Sequence, residues 1–254
     1  MLISRFKVPV GIFLLLASSQ LFANSLAQKQ ALGSESVNNA PILYKADYIL
    51  SRRGSDYGNG SRQLIQLDNQ RYLFNYSSQA RFLFLSDERS ETSQLWIDNN
   101  QVKVDWYRYK REGTGKDRDY HYQFDHQAKQ VLDKDNKPTV TNTDLGYRVL
   151  DQLSYQLQLE LDLKAAPLQD SYSYQGINRD GHIRDYEFKV VEQPTISTPK
   201  GQFKTIKMQR ITDNEDRVTY AWFAPELNYV LVRLQQMEDG DESFNISLKE
   251  IEWL

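Results

Sequence analysis

The chain has 254 residues, with 31 Lys and Arg against 34 Asp and Glu, three His and no Cys. The absence of cysteine excludes disulfide-stabilised folds, thiol nucleophiles, iron–sulfur clusters and cysteine-ligated zinc. A net charge of −3 without basic tracts is unsuited to nucleic acid, because that binding depends on neutralised phosphates, so we expect no nucleic-acid partner.

Residues 1–27 have the order of a secretory signal peptide. A basic start is followed by the apolar run Val8–Leu16 and then by small and polar residues up to Ala27. The run is shorter than the roughly 20 residues that span a bilayer, so we expect cleavage and no transmembrane helix afterwards. The cleavage site is Ala27 or, alternatively, Ala23, and no cysteine follows that could carry a lipid. The sequence therefore predicts a periplasmic protein.

The remaining chain divides into a short lead-in and a long β-rich part. Residues 28–40 are polar and aperiodic, and we expect them to be disordered. Residues 41–254 show repeated alternation of apolar and polar side chains, beginning with the run Ile42–Arg53, and polar turns such as Asp98–Asn100 separate the runs. We expect a single, mainly β domain in which an antiparallel curved sheet forms a barrel or half-barrel.

One segment, at about residues 145–163, has a helical period. Val149, Leu153 and Leu157 recur at four-residue steps, and Asp144 precedes the segment as a candidate N-cap. The end of the segment also fits a period of two, so a strand stays open as an alternative there. We expect one amphipathic helix whose leucine stripe packs against the sheet.

The C-terminal half carries a recognisable order of motifs. The segment Thr198–Lys207 follows the pattern TPxGxFxT-apolar-K, and Thr219–Arg233 contains WFAPEL-x-Y-x-x-V-R. With the opening YKADYILSRRG and the helix LDQLSYQLQLELDL, these motifs resemble the bacterial family catalogued as domain of unknown function 3108. The resemblance implies an exported, envelope-associated, largely β protein without an established activity, so no catalytic residues are carried over. It also implies an architecture similar to the half-barrels of periplasmic lipoprotein carriers, which wrap a sheet around a helix.

The sequence lacks the motifs of common catalytic and cofactor sites. It contains no G-x-S-x-G, H-E-x-x-H, Walker-type or dinucleotide-binding glycine motif. His121 and His126 would lie on opposite faces of a strand, which does not suit a shared metal ion. Asp105, Asp119 and Asp125 are expected to face a sheet surface, yet no pair of them stands out for catalysis. We therefore expect no catalytic residues, no metal site and no cofactor.

Aromatic residues are abundant, with 16 Tyr, 11 Phe and 4 Trp. Tyr and Trp combine an apolar body with a polar tip, which suits the mouth of a ligand groove, although strands favour aromatic residues in any case. We predict Phe84, Trp106, Tyr109 and Tyr122 as ligand-binding residues that line such a groove. The run Phe82–Leu85 is either a lid or membrane-touching loop, or a fully buried strand.

Three functions follow from these patterns. The leading hypothesis is a non-enzymatic protein that binds a lipid-like or other envelope component in a concave groove of the sheet. The second is a carboxylate-dependent hydrolase of envelope glycans, which a deep polar pocket with two converging acids of shifted pKa would favour. The third is a scaffold that contacts envelope proteins through an exposed sheet edge, which a filled barrel without a cavity would favour.

Overall fold

The computed structural model describes residues 41–67, 70–82, 84–141, 149–165, 169–214 and 216–254. The described residues belong to one compact unit. The predicted signal peptide, residues 1–27, and the predicted lead-in, residues 28–40, lie outside them, so the proposed division of the chain stays a prediction. In the described ranges, no helix has the length and apolar character needed to cross a membrane.

Alternating apolar and polar side chains make most of the described chain β-strand, because each strand buries one face and exposes the other. The strands are β1 (Tyr44–Arg52), β2 (Ser55–Gln66), β3 (Tyr72–Phe82), β4 (Leu85–Asp98), β5 (Gln101–Gly113), β6 (Arg118–Asp125), β7 (Gln130–Asp133), β8 (Pro138–Thr141), β9 (Leu150–Asp151), β10 (Ser171–Ile177), β11 (Ile183–Glu192), β12 (Thr195–Thr198), β13 (Gly201–Lys204), β14 (Ile206–Ile211), β15 (Arg217–Ala224), β16 (Val230–Glu238) and β17 (Asp241–Trp253). A 3-10 turn at Pro225–Leu227 joins β15 to β16.

Within the described residues, the strands form one 15-stranded sheet and a separate pair, β12 and β13. The order across the large sheet is β8-β7-β6-β5-β4-β3-β2-β1-β17-β16-β15-β14-β11-β10-β9. Neighbouring strands are antiparallel, except that the two-residue β9 runs parallel to β10. The sheet curves without closing through strand pairing, because β8 and β9 lie at its two ends. The predicted antiparallel barrel or half-barrel is therefore confirmed.

The first and last strands meet in the middle of this sheet. The pairing of β1 with β17 runs from Tyr44 opposite Trp253 to Ser51 opposite Asn245. The other edge of β1 pairs with β2, so β1 is a central strand. Its inward residues are almost completely buried, as expected for a strand that is covered on one face.

The helix α1 (Ser154–Ala165) lies within the curve of the sheet and contacts β5, β9 and β10. It begins at Ser154 and not near residue 145, because Leu150 and Asp151 form β9 and the Asp151 carboxylate caps the helix. Asp151 Oδ1 accepts hydrogen bonds from the backbone N–H groups of Leu153 and Ser154, each at 2.8 Å. The cap predicted at Asp144 lies outside the described residues. Because the sheet wraps around it, α1 buries residues on most of its circumference: Ser154, Tyr155, Leu157, Gln158, Leu159, Glu160, Leu161 and Leu163.

Side chains join elements that strand pairing does not, and we call these contacts the seam: α1 bonds β5, and β6 bonds the loop between β10 and β11. The Gln158 amide accepts a hydrogen bond from the N–H of Val102 at 2.7 Å and donates one to the carbonyl of Asn100 at 2.9 Å. It thereby satisfies this edge of β5 as the backbone of a neighbouring strand would. At another point of the seam, the Tyr122 hydroxyl donates to the carbonyl of Arg179 at 3.1 Å.

Candidate functional site

A cavity of about 150 Å³, which we call the α1 cavity, lies between the start of α1 and the inner face of the sheet. Its lining residues are Tyr48, Arg62, Tyr76, Glu91, Leu153, Gln156, Leu231, Leu234, Phe244 and Ile246. Two larger clefts, of about 540 Å³ beside Ser61 and Ser77 and about 520 Å³ beside Gln158 and Asp162, are lined mainly by polar side chains. The α1 cavity differs from both because it is lined by buried charged side chains and by an apolar surface together.

One wall of the α1 cavity is polar. Arg62 on β2 lies directly opposite Tyr76 on β3, and Tyr76 lies directly opposite Glu91 on β4. Directly opposite residues project from the same face of a sheet, so these three side chains form one row on the inner face. The row brings a cation, a phenol and a carboxylic acid together at a single cavity.

The other wall of the α1 cavity is apolar. Leu231 and Leu234 come from β16, and Phe244 and Ile246 come from β17. Leu153, just before α1, and Gln156 on α1 close the cavity on the helix side. This wall offers apolar surface, which favours an apolar part of a ligand over water.

Arg62 is buried, with 3% of its surface exposed, and its guanidinium is only partly bonded. The guanidinium lies over the Phe74 ring at 4.6 Å, and Nη2 is 3.1 Å from Oε1 of Glu160. Neither Nε nor Nη2 has a hydrogen-bond partner among the described residues, so the contact of Nη2 with Glu160 is an ion pair without hydrogen-bond geometry. Because a buried N–H without an acceptor costs roughly 1–3 kcal/mol, Arg62 retains an unused capacity to bind an oxygen atom.

Burial raises the pKa of two acids in this interior, Glu160, which pairs with Arg62, and Glu91, which lines the same cavity. Burial raises the pKa of Glu160 to about 7, against the opposing effects of Arg62 and of the Tyr44 hydroxyl, which donates to Glu160 Oε2 at 3.3 Å. Burial also raises the pKa of Glu91, whose Oε2 accepts a hydrogen bond from the Tyr107 hydroxyl at 2.6 Å. Glu160 is therefore only partly ionised near pH 7.

The family described as "Protein of unknown function (DUF3108)" matches residues 59–249 of this chain. The chain belongs to the DUF3108 family. The family assignment predicted from the sequence motifs is thus confirmed.

This DUF3108 protein is also similar in fold to a solved structure from Brucella abortus, described as a beta-barrel-like protein of domain of unknown function DUF1849. The two chains share 11% sequence identity with a TM-score of 0.53, and the match covers 84% of this chain and 98% of the other. At this identity the likeness shows the fold alone, and it agrees with the half-barrel described above. No curated protein matches this chain.

The four residues predicted to bind a ligand do not share one surface of the DUF3108 protein. Phe84, at the turn between β3 and β4, is 97% exposed and Leu85 beside it is also exposed, so neither belongs to a buried strand. Trp106 packs edge-on against a histidine ring on the outer face of β5. Tyr109 and Tyr122 are buried, and both hydroxyl groups contact Arg179 at the seam. Their role in ligand binding stays a prediction.

A β-bulge explains the orientation of Trp106. The pairing between β4 and β5 skips Asp105, which is an extra residue in β5. Val104 faces inward before the bulge, and after it the inward residues are Tyr107 and Tyr109. The bulge therefore moves Trp106 out of the inner face.

The carboxylates that the sequence placed on the sheet surface do not converge on a common site. Asp105 pairs with Arg71 at 2.9 Å, and Asp119 pairs with Arg108 at 2.7 Å. Asp125 instead accepts backbone hydrogen bonds within the turn that follows β6. In the part of the chain that the structure describes, no group of three or more His, Asp or Glu residues is arranged to hold a metal ion.

Sequence reasoning missed Arg62, Tyr76 and Glu91. For Arg62 a signal was available, because it stands two residues before the apolar Leu64 and so shares the inner face of its strand. A charged residue at a core position is a candidate for function. Glu91 gave no such signal, because the first half of β4, Ser86–Ser93, is polar on both faces.

Proposed function

We propose that this DUF3108 protein is an exported, non-enzymatic binding protein of the cell envelope, and that the α1 cavity holds one end of a lipid-like molecule. The single observation that carries the proposal is the division of the cavity into an apolar wall from β16 and β17 and a polar wall from β2, β3 and β4. An amphipathic ligand matches such a division. Export to the periplasm is inferred from the signal-peptide pattern of residues 1–27.

The volume of the α1 cavity limits the part of a ligand that can enter. An engineered apolar cavity of roughly 150 Å³ in another protein accepts benzene or xenon. The α1 cavity is about 150 Å³, so it accommodates a short group and not a complete diacyl lipid. Leu234 and Phe244 are only partly buried although they line the cavity, and this side offers the rest of the ligand a path outward.

The arrangement of acids favours binding over hydrolysis. A glycan hydrolase of the carboxylate type needs two acids that face one substrate. Glu91 lines the α1 cavity. Asp151, whose pKa burial also raises, is not among the lining residues and caps α1 through Oδ1, and Glu160 is held by Arg62 and Tyr44. The cavity also distinguishes this interior from the filled barrel expected of a pure scaffold.

The proposal is tested by native mass spectrometry of the full chain, expressed in bacteria with its own N-terminus and purified gently from a periplasmic extract. We expect a chain cleaved after Ala27 or Ala23 that carries a stoichiometric extra mass. Solvent extraction of that mass should yield a lipid-like compound. A chain that retains residues 1–27 in the cytoplasm would contradict export.

A pair of matched variants locates the binding. Leu234→Trp fills the α1 cavity with a larger side chain, and we expect it to lose the bound mass. Val191→Trp adds the same side chain at an exposed position on β11, and we expect it to keep the bound mass. Equal retention by the two variants, or the absence of any bound mass together with no binding of added single-chain lipids, would overturn the proposal. Release of a cleaved glycan would favour the hydrolase.

A further inference from the structure

An apolar ligand alone would not explain Arg62. This side chain lines the α1 cavity, is 3% exposed and has an Nε without a partner in the described chain. An apolar group placed in the cavity would exclude water from that donor and leave it unsatisfied, which opposes binding. The ligand is therefore expected to supply an oxygen acceptor at this wall.

The neighbouring acids are already engaged in other contacts. Glu160 faces Nη2 of Arg62 at 3.1 Å and also accepts the Tyr44 hydroxyl. Glu91 accepts the Tyr107 hydroxyl at 2.6 Å. Neither acid forms a hydrogen bond with Nε of Arg62. The guanidinium of Arg62, a residue that lines the α1 cavity, thus keeps donor groups without an acceptor among the described residues.

We propose that the end of the ligand held in the α1 cavity is a carboxylate, and that Arg62 binds it with the hydrocarbon chain directed along the apolar wall. This inference rests on the proposed function and names the chemical class of its ligand. A guanidinium binds carboxylates through charge-assisted hydrogen bonds, which are stronger than bonds between neutral groups. The direction of the chain follows from Leu231, Leu234 and Phe244, which form the apolar part of the lining of the same cavity.

Size and charge favour a carboxylate over a phosphate. The phosphate of a diacyl phospholipid is attached to glycerol, and the whole headgroup exceeds what a cavity of about 150 Å³ accommodates. A phosphate monoester carries up to two negative charges near neutral pH, and Glu91 lies on the same wall. A carboxylate brings one charge and a planar pair of oxygens. The ligand class is therefore a single-chain carboxylic acid.

The test compares three amphiphiles with the same chain length, which are decanoate, decan-1-ol and decyl phosphate. Their affinities for the protein stripped of bound lipid are measured by calorimetry at constant pH and salt. We expect decanoate to bind about 10- to 100-fold more tightly than decan-1-ol, as one charge-assisted bond to Arg62 would give. We also expect decanoate to bind more tightly than decyl phosphate.

Two variants assign this preference to Arg62. Arg62→Leu should bind decanoate no more tightly than decan-1-ol, because the cation is lost and an unpaired carboxylate is costly to desolvate, while the apolar wall remains. Arg210→Leu is the matched control, since Arg210 also has a buried Nε without a partner in the described chain but does not line the α1 cavity, and it should keep the preference. Arg62→Lys retains the charge without the planar fork, and it replaces Arg62→Leu if that variant does not fold.

The outcomes separate this inference from the proposed function. Equal binding of decanoate and decan-1-ol by the unmodified protein would overturn the carboxylate inference and leave lipid binding intact. Tighter binding of decyl phosphate, or a preference for decanoate that survives in Arg62→Leu, would also overturn it. If none of the three compounds binds and the purified protein carries no bound mass, both the inference and the proposed function are wrong.

Discussion

The curved sheet encloses two regions that are packed in different ways. We call the region around α1 the helix half and the region around the α1 cavity the cavity half. In the helix half, Leu157, Leu159 and Leu163 are almost completely buried and occupy the space between the walls. In the cavity half, side chains from opposite walls leave a space of about 150 Å³. A strongly curved sheet of this size is therefore not filled by its own side chains, and its interior needs an inserted element or retains a cavity.

The ion pair of Arg62 and Glu160 lies at the boundary between these two halves. Glu160 belongs to α1, and Arg62 lines the α1 cavity. The boundary combines the buried interior of the helix half with the polar wall of the cavity half. Charges at such a position are sensitive both to pH and to a ligand.

We expect the largest difference between the two halves in the free energy of unfolding that one Leu-to-Ala substitution costs in each. Leu159→Ala, in the helix half, should lower the free energy of unfolding by about 2–5 kcal/mol, because it opens a new space in a packed interior. Leu234→Ala, in the cavity half, should lower it by about 1 kcal/mol, because this side chain already borders a cavity and is only partly buried. Urea unfolding measures both values. Equal losses would mean that the two halves are packed alike.

The ion pair of Arg62 and Glu160 at this boundary should make the free energy of unfolding depend on pH. The pKa of Glu160 is raised from 4.5 to about 7 in the folded protein, so the folded state holds this proton more tightly than the unfolded state does. The protonated Glu160 therefore stabilises the folded state. This contribution to the free energy of unfolding is fully present below about pH 4.5 and is lost as the pH rises to about 7, a change on the order of 3 kcal/mol. Glu160→Gln should reduce this slope in urea unfolding measured from pH 4.5 to 8, because it removes the contribution of Glu160.

The matched control for this pH dependence is Glu252→Gln, which changes an exposed glutamate on β17. Glu252→Gln should leave the dependence of the free energy of unfolding on pH unchanged. A slope that persists undiminished in Glu160→Gln would assign the titration to another buried acid, either Glu91 or Asp151, because burial raises the pKa of both.

In the helix half, the seam depends on Gln158. Gln158→Ala removes the amide that bonds both the N–H of Val102 and the carbonyl of Asn100, and it should lower the free energy of unfolding by about 1–3 kcal/mol. Gln156→Ala is the control on the same helix, because its amide bonds only within the chain segment that starts α1. It should change stability by less than about 0.5 kcal/mol. If the two variants lose the same free energy of unfolding, Gln158 does not satisfy the edge of β5 in place of a neighbouring strand.

The other contact of the seam is the single hydrogen bond between Tyr122 and Arg179, and its loss should lower the free energy of unfolding least. Tyr122→Phe removes the hydroxyl that donates to the carbonyl of Arg179, with an expected cost of about 0.5–1.5 kcal/mol in urea unfolding. Tyr120→Phe is the control, because this tyrosine stacks on Tyr109 and its hydroxyl has no hydrogen bond in the described chain. A cost for Tyr120→Phe that matches the cost for Tyr122→Phe would show that the seam does not need this bond.

The fold was predictable because its main cause is local. Alternation in runs such as Ile42–Arg53 depends only on which face of a strand is buried, and the turn at Asp98–Asn100 depends on residues that accept positive φ, as Asn99 and Asn100 do. The start of α1 was not predictable in this way. Leu150 fits the helical period, but it joins β9 because β10 supplies a strand partner that is distant in sequence.

The site was less predictable because its causes are not local. Trp106 leaves the inner face through a bulge that exists only when β4 and β5 pair, so no pattern within β5 reveals it. Tyr109 and Tyr122 do face inward as aromatic residues of a groove would, but a loop between β10 and β11 covers them. Arg62 is the exception, since strand alternation alone, counted back two residues from Leu64, places a charge on the inner face.

The pairing of β1 with β17 determines when during synthesis this sheet can be completed. Strands β1 to β8 can each pair with a neighbour in sequence as they emerge, but one edge of β1 stays open until the 13 residues of β17 exist. A chain that ends before Asp241 would hold two unjoined sheets, each with an exposed edge prone to association with other chains. The two parts of the sheet are joined only when β17 has been synthesised.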